Sequence, residues 1–474
     1  MLKFGTSGLR GPVTDLLSGA SGAYAKAFGT HLLQSGFASP GAMVFLGQDR
    51  RESSPAIARD CAAGLAAVGL VPVDCGALPT PALACHAMAK GAACLMVTGS
   101  HIPADQNGLK FYRPDGEIEK SDEAAIAAAV ADVAPLSATQ ADAMESDGGA
   151  ALDAYRARYA GLFAPGFLEG KRIGIYEHSS VARDLLADLL ADTGASVLRL
   201  GRVDGFVAVD TEAIAPETIA RFGRWCAEHS LDAILSTDGD ADRPFVADET
   251  GRQVRGDVLG LLTARRLGAG TVVTPVTSNT GITEALGFDV VRTRVGSPFV
   301  IEGMARAART GRHPVVGFEA NGGFLTATPV EIGGRTLSPL PTRDCVLPML
   351  CVLSAMAEAG TSLSALVASL ALPVAASGRI EHFAREDSAR LMAHLTAAPA
   401  NVTAFAEGLG TVQKVADIDG VQIFLDGGSV LHVRPSGNAP EMRCYGEAAR
   451  AEAAQALVDA GLERIRAFAA ATPA

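Results

Sequence analysis

The sequence predicts an α/β protein of several domains, three of them similar mixed α/β units that each contain a β-α-β step and the last a C-terminal α+β unit. Three observations predict this. The chain has 474 residues, too many for one core when a domain takes roughly 150. One plan recurs three times, in which an apolar strand runs into a polar Ser/Asn loop, an amphipathic helix and a second strand ending near a glycine. The remaining C-terminal stretch abandons that plan for antiparallel strands and one long helix.

The first unit starts with a strand over Met43–Gly47. It passes Asp49, Arg50, Ser53 and Ser54 into an Ala-rich helix and returns as Val71–Gly76. The second has a strand at Arg172–Tyr176, Ser179-Ser180, a helix near Val181–Thr193 and a strand at Ser196–Gly201. In the third, Thr271–Val276 leads through Ser278-Asn279 and a short helix to Asp289–Arg294. Units spaced by about a hundred residues or more predict separate sheets, since that spacing is a small domain each. Further on, Gly420–Asp426, Ser429–Val433 and Met442–Glu447 read as an antiparallel meander, followed by a helix over Ala448–Ala470. Joints at Ser146-Asp-Gly-Gly149, after Gly251 and at Leu372-Pro-Val374 divide the chain into residues 1–149, 150–253, 254–371 and 372–474.

Composition narrows the function. With 48% hydrophobic and 19% charged residues, the chain buries sizeable cores and is no disordered scaffold. Its 40 basic and 52 acidic residues give a net charge of −12, with no Lys/Arg run, which argues against nucleic-acid and anionic-membrane partners. An anionic small molecule is still admissible if a few basic residues converge on one cleft. The 8 cysteines are scattered, without C-x-x-C or Cys/His metal spacing, and read as reduced core residues. The absence of a secretory leader pattern and of any spanning apolar stretch predicts a cytoplasmic protein.

Four loops carry the chemistry. In Leu231–Pro244 a strand runs into Asp238-Gly-Asp240-Ala-Asp242-Arg243, and an extended backbone puts alternate carboxylates on one face, where they suit a hard cation. An EF-hand is excluded, because Arg243 occupies the position that needs glycine and the preceding segment is strand-like. A second strand ends in Thr98-Gly-Ser100-His101, with Lys110 nearby. Ser100 could act as a nucleophile, but the G-x-S-x-G elbow of acyl hydrolases is missing. The third loop, Arg434-Pro-Ser436-Gly437-Asn438-Ala-Pro-Glu441-Met-Arg443, offers backbone N–H groups and two guanidiniums to an oxyanion, phosphate being the natural guest. The fourth, Gly317–Phe324, supplies Glu319 and Asn321 on a glycine-bent backbone suited to vicinal hydroxyls. No P-loop lysine, dinucleotide fingerprint or H-E-x-x-H motif is present.

In chain order, Phe4-Gly-Thr-Ser-Gly-Leu-Arg-Gly11, Thr98–Lys110, Asp238–Arg243, Gly317–Phe324 and Arg434–Arg443 resemble the successive signatures of the α-D-phosphohexomutase superfamily. The resemblance implies four domains around a central cleft. It also implies reversible transfer of phosphate between the 1- and 6-positions of mannose or glucose, through a hexose 1,6-bisphosphate. It casts Ser100 as phosphoserine and Asp238, Asp240 and Asp242 as Mg²⁺ ligands together with the phosphoserine oxygen. Arg10, Lys110 and Arg243 stand beside the transferring phosphate, with His101 or Lys110 moving the hydroxyl proton. Thr6, Ser7, Arg294, Glu319 and Asn321 then face the sugar phosphate, and Arg434, Ser436, Gly437, Asn438 and Arg443 clamp the distal phosphate. The implied partner is a free phosphosugar, and the implied assembly a monomer or homodimer. This chain departs from the superfamily where Asn321 replaces a serine, Gly323 and Phe324 stand where an imidazole is common, and Gln48 replaces an arginine. These departures bear on the sugar: a phosphoglucosamine mutase is the nearest alternative, and a metal-dependent sugar phosphatase or a non-catalytic sensor the alternatives from other classes.

Overall fold

The computed structural model describes residues 2–5, 8–130, 144–212, 214–283, 286–437 and 439–471. Its strands form four principal sheets and one two-stranded ribbon. The first sheet contains β1 (Lys3–Phe4), β2 (Leu9–Pro12), β3 (Met43–Gln48), β4 (Val71–Ala77), β5 (Ala93–Val97), β6 (Gln106–Arg113), β7 (Gly116–Glu117) and β8 (Glu145–Ser146). The second contains β9 (Arg172–His178), β10 (Ser196–Arg202), β11 (Ala233–Thr237), β12 (Pro244–Asp248) and β13 (Gln253–Val254). The third contains β14 (Thr271–Pro275), β15 (Asp289–Thr293), β16 (Val315–Phe318), β17 (Phe324–Thr326) and, after the ribbon β18 (Val330–Ile332) and β19 (Arg335–Leu337), β20 (Leu340–Asp344). The fourth contains β21 (Val374–Ile380), β22 (Val412–Ala416), β23 (Val421–Leu425), β24 (Val430–Pro435) and β25 (Met442–Ala448).

The three repeats seen in sequence share one strand plan. In the orders β4-β3-β5-β6, β10-β9-β11-β12 and β15-β14-β16-β17, the first three strands are parallel and the fourth turns back antiparallel. Parallel strands covered on both faces read as near-continuous apolar runs, as in Ala93–Val97 and Ala233–Thr237, which are buried at every position. The chain reverses sequence order beside the first strand of each unit, a topological switch point where α/β proteins bind ligands at the carboxyl ends of strands. The loop that turns from the third strand to the fourth leaves that end in each unit.

The fourth sheet is antiparallel throughout, in the order β21-β25-β24-β23-β22, and the helix Ala451–Ala470 packs on β25 and β21. The meander and helix expected from sequence are there, whereas β21 and β22 were not foreseen. The short helix expected after Asn279 falls partly on Glu284 and Ala285, outside the described residues, and residues 280–281 form a turn.

One apolar cluster runs continuously through the first three sheets, from Phe45 through Ile173 and Leu235 to Val272 and Phe318. The fourth has its own core around Leu391, Ile423, Leu431 and Val458. Its seam with the third unit includes several polar contacts. Gln422 Nε2 donates to Val276 O (2.9 Å), Asn279 Nδ2 to Pro373 O (2.7 Å), Val295 N to Asp419 Oδ2 (2.9 Å), and the Thr280 hydroxyl to the Glu447 carboxylate. No helix among the described residues is long and apolar enough to cross a membrane.

Two buried histidines make the fold acid-sensitive. His178 Nε2 donates to Thr237 O (2.9 Å), and His432 Nε2 to Asp419 O (2.7 Å). Burial pushes each imidazole down to about 4. A histidine whose folded pKa is depressed contributes stability above its unfolded value of about 6.5, and loses it as pH falls toward the folded value. Urea unfolding at pH 7 and pH 5 is expected to differ by about 2 kcal/mol for each of these two histidines, and the double His178→Gln/His432→Gln variant should lose that part of the difference.

Candidate active site

The three switch-point loops are the ones the sequence singled out. Ser100 follows β5, Asp238 follows β11 and Glu319 follows β16, so one topological position has been given three chemistries. The Ser100 loop is tightly organised. Arg51, only 2% exposed, donates to four of its carbonyls: Nη2 to Ser100 O (3.0 Å) and Ile102 O (2.7 Å), Nη1 to Pro103 O (2.7 Å) and Gln106 O (3.0 Å). Asp49 anchors that guanidinium (Nε–Oδ2 3.1 Å) and accepts from Thr98 Oγ1 (2.8 Å), which itself accepts from Ser100 N (2.7 Å). Phe206 of the second unit lies on the Arg51 guanidinium, 3.8 Å from ring centroid to Cζ. Ser100 has φ of 55°, a left-handed conformation rarely adopted by residues with a Cβ, and the surrounding bonds hold it there.

The Ser100 hydroxyl donates to Asp238 Oδ2 at 2.5 Å and lies 3.2 Å from His101 Nδ1. Gly239 permits this approach, since a Cβ there would sit 3.0 Å from Ser100 O and 2.9 Å from the Phe206 ring. Asp238, Asp240 and Asp242 are buried and their carboxylate oxygens lie within 4.8 Å of one another. Burial and the like charges of Asp240 and Asp242 raise the Asp238 carboxyl far above its usual range. Lys110 Nζ bonds Asp240 Oδ2 and Asp242 Oδ2, each at 2.6 Å. Oδ1 of Asp240 and Oδ1 of Asp242 are buried without any hydrogen-bond partner. Buried oxygens without hydrogen bonds on an all-oxygen, triply acidic set suit a hard divalent cation, so these three residues fit one, and Ser100 Oγ lies beside them.

Beside the trio opens a cleft of about 330 Å³ lined by strand and loop residues of all four units. Five arginines face it: Arg10, Arg243, Arg343, Arg379 and Arg443. A chain of net charge −12 thus gathers five guanidiniums in one cleft, against the three carboxylates Asp210, Glu212 and Glu319 there, a balance that suits an anion. Arg10 projects from β2, and burial together with Arg243 pushes it down to about 10. Burial, Arg243 and Arg10 likewise depress the His101 imidazole strongly, leaving it uncharged.

The structure brings His101, Arg10, Arg243, Glu319, Asn321 and Arg443 to this cleft, and Ser100 and Lys110 to the three aspartates beside it. Asn321 Nδ2 reaches Glu319 Oε2 (3.4 Å) and its Oδ1 accepts from Gly323 N (2.9 Å), fixing the shape of this loop. Arg434 is buried beside Asp419 (Nε–Oδ1 3.3 Å), and the Ser436–Gly437 turn is closed by Ser436 N donating to Glu441 O (2.9 Å). Arg294 is placed elsewhere: its Nε donates to Ile418 O (3.3 Å), while its neighbours Val295 and Gly296 line the cleft. Thr6, Ser7 and Asn438 lie outside the described residues.

Sequence reasoning missed Arg343 and Arg379. Arg343, on β20, bonds Asp242 Oδ2 through Nε (3.0 Å) and Nη2 (2.7 Å) and reaches Glu319 Oε2 through Nη1 (3.3 Å). Arg379 is the cross-strand neighbour of Arg443, which in turn faces Arg434. The three arginines are cross-strand neighbours in a row, each with one carboxylate near it, Glu381 for Arg379 (2.8 Å), Glu441 for Arg443 (3.5 Å) and Asp419 for Arg434 (3.3 Å). A lone arginine between buried Thr342 and Asp344 was the available signal for Arg343.

Three family descriptions match the chain: "Phosphoglucomutase/phosphomannomutase, alpha/beta/alpha domain I" over residues 1–136, domain III of the same family over 255–372, and its C-terminal domain over 387–463. A phosphomannomutase from Sinorhizobium fredii (strain NBRC 101917 / NGR234) is 51% identical over 97% of this chain and 98% of its own. One from Salmonella muenchen is 41% identical over 98% and 96%. Among solved structures, a phosphoglucomutase/phosphomannomutase family protein from Burkholderia thailandensis superposes with a TM-score of 0.78. It covers 99% of this chain and 98% of its own at 19% identity, a likeness of fold.

Proposed function

The chain belongs to the phosphoglucomutase/phosphomannomutase family, and from that premise we propose that it interconverts hexose 1-phosphate and hexose 6-phosphate by way of Ser100, with mannose the preferred hexose. It is an intramolecular phosphotransferase, an isomerase. The observation that carries the Ser100 assignment is its hydroxyl, 2.5 Å from Asp238 in the acidic trio and 3.2 Å from His101, which lines the arginine-rich cleft.

In this reading phosphorylated Ser100 meets the free hydroxyl of a bound hexose monophosphate. The bond from Ser100 Oγ to phosphorus breaks as the sugar oxygen bonds phosphorus, and the sugar hydroxyl's proton leaves to a neighbouring base. His101 is uncharged and 3.2 Å from Ser100 Oγ, and a phosphoryl dianion beside it raises its basicity, so it takes that proton. Lys110, paired with Asp240 and Asp242, and Arg243 supply fixed positive charge to the moving group. Mg²⁺ on Asp238, Asp240, Asp242 and Ser100 supplies further neutralisation of the phosphoryl oxygens when bound. Glu319 and Asn321 orient the sugar hydroxyls, and Arg434, Ser436, Gly437 and Arg443 hold the idle phosphate, with Arg379 beside them.

The hexose 1,6-bisphosphate then turns end for end, and the reverse transfer regenerates phosphoserine. Turning needs space. The fourth unit (372–474), which has its own core, is the one that loosens from the third (254–371) in this reading, while the apolar core shared by the first three sheets stays closed. The enzyme works on free phosphosugar in the cytoplasm.

Mannose, glucose and glucosamine 1-phosphates, assayed side by side with Mg²⁺ and a trace of the matching bisphosphate, test the reading. Conversion to the 6-phosphate is expected without release of inorganic phosphate, with kcat/KM highest for mannose. Stoichiometric phosphate release would make the protein a phosphatase, and tight binding without conversion a sensor. A preference for glucosamine would move it to the aminosugar branch.

A further inference from the structure

Two carboxylates of the acidic trio are held by one oxygen only. Asp240 Oδ2 accepts from Lys110 Nζ (2.6 Å) and from the Thr80 hydroxyl. Asp242 Oδ2 accepts from Lys110 Nζ (2.6 Å) and from Arg343 Nη2 (2.7 Å) and Nε (3.0 Å). Both Oδ1 atoms are buried without a hydrogen-bond partner, and the Arg243 Nε lies 3.8 Å from that of Asp242. A carboxylate is free to rotate about its Cβ–Cγ bond, so bare oxygens converge on one point only if the opposite oxygens are pinned.

We propose that Thr80 and Arg343 are positioning residues of the cation site: each pins the outer oxygen of one aspartate, so that the inner oxygens face the ion before it arrives. This rests on the metal reading above. Thr80 begins the helix Thr80–Ala89, in a different unit from Asp240, and is fully buried. Its N–H donates to Asp240 O (2.9 Å) while its hydroxyl holds the side chain of the same residue, so main chain and carboxylate are fixed together. With no exposure, its hydroxyl has no other evident task.

Arg343 does the same for Asp242 with two N–H groups, Nε and Nη2, that converge on Oδ2, and its planar guanidinium sets the direction of that oxygen as the rotatable ammonium of Lys110 does not. Its third contact, Nη1 to Glu319 Oε2 (3.3 Å), ties the sugar loop to the same frame. Gly323 makes room for it, because a Cβ there would lie 2.5 Å from Arg343 Cδ and 2.6 Å from Cγ. The departure at Gly323 noted in the sequence is therefore the space that the Arg343 stem occupies.

The test is Mn²⁺ binding by the full-length chain without sugar, read from the free-ion electron paramagnetic resonance signal, so turnover plays no part. Thr80→Val keeps shape and removes the hydroxyl, and Thr80→Ser restores it. Arg343→Met removes the guanidinium, and Arg343→Lys keeps charge without it. Thr80→Val and Arg343→Met are expected to weaken Mn²⁺ 10- to 100-fold, roughly the usual effect of losing an outer-shell partner. Thr80→Ser should stay within about threefold of wild type, and Arg343→Lys should resemble Arg343→Met. With saturating Mg²⁺, KM for hexose 6-phosphate should rise more in Arg343→Met than in Thr80→Val, since only Arg343 reaches Glu319.

Folded Thr80→Val and Arg343→Met proteins with wild-type Mn²⁺ affinity would overturn the proposal, as would a Thr80→Ser protein as weak as Thr80→Val. If either larger change prevents folding, as judged by thermal melting, the conservative variants decide. Wild-type affinity in Arg343→Lys, or lost affinity in Thr80→Ser, then counts against the residue concerned. A wild-type chain that binds no Mn²⁺ would remove the cation site itself, and this inference with it.

Discussion

Ser100→Ala is expected to lower kcat/KM for every hexose phosphate by at least about 1,000-fold, roughly 4 kcal/mol of transition-state stabilisation. The side chain lost is one hydroxyl in a loop whose shape is set by Arg51, Asp49 and Thr98. Stability should therefore fall by only about 1 kcal/mol, the loss of one donor to Asp238. Melting temperature and a coupled assay measure the two effects separately. Intact mass adds a third readout: the wild-type chain should carry one phosphate that exposure to substrate removes, and the variant none. Turnover retained in a folded Ser100→Ala protein would end the phosphoserine assignment.

Asp242→Asn should damage both fold and catalysis. Burial works to raise the Asp242 pKa, but Arg343, Lys110 and Arg243 outweigh it and hold the carboxyl far below its ordinary range. Asparagine keeps the shape and deletes the charge, so Lys110 and Arg343 are left buried with less compensation. Breaking such a pair on one side typically destabilises by about 3–5 kcal/mol. Urea unfolding at pH 7 should show a loss of that order, with activity down at least about 100-fold. The pH dependence has a definite sign. A depressed carboxylate contributes stability above its unfolded pKa of about 4 and loses it as pH falls further. The wild-type chain should thus lose stability below pH ~4 that the variant does not have to lose. Equal stability at pH 7 would mean that the cations find other partners.

The loops were legible because chemistry-bearing residues there directly follow apolar strands, a pattern that local reading detects at Thr98–His101, Asp238–Arg243 and Glu319. The repeated β-α-β plan was legible for the same reason, as was the meander over β23, β24 and β25. What escaped detection depends on rotation and on distance along the chain. Arg343 lies 101 residues from its partner Asp242, and Thr80 lies 160 from Asp240. Thr80 sits in Pro79-Thr-Pro81, which reads simply as a helix start. Arg294 looked like a cleft residue from its place after β15, but the chain turns there and its guanidinium goes to the Ile418 carbonyl. The strand β21, Val-Ala-Ala-Ser-Gly-Arg-Ile, lacks a strong apolar alternation, so nothing local marked it before its seven-residue pairing with β25 was seen.

The triplicated strand plan has an evolutionary corollary. Each loop hangs from its own scaffold at the same node, so a change in the copy that grips the sugar leaves the registers beneath the other two untouched. On the reading proposed above, substrate range is then a replaceable cassette, and a lineage, or an engineer transplanting residues 319–323 around an unchanged Arg343, could retune which hexose is accepted without reinventing the catalyst.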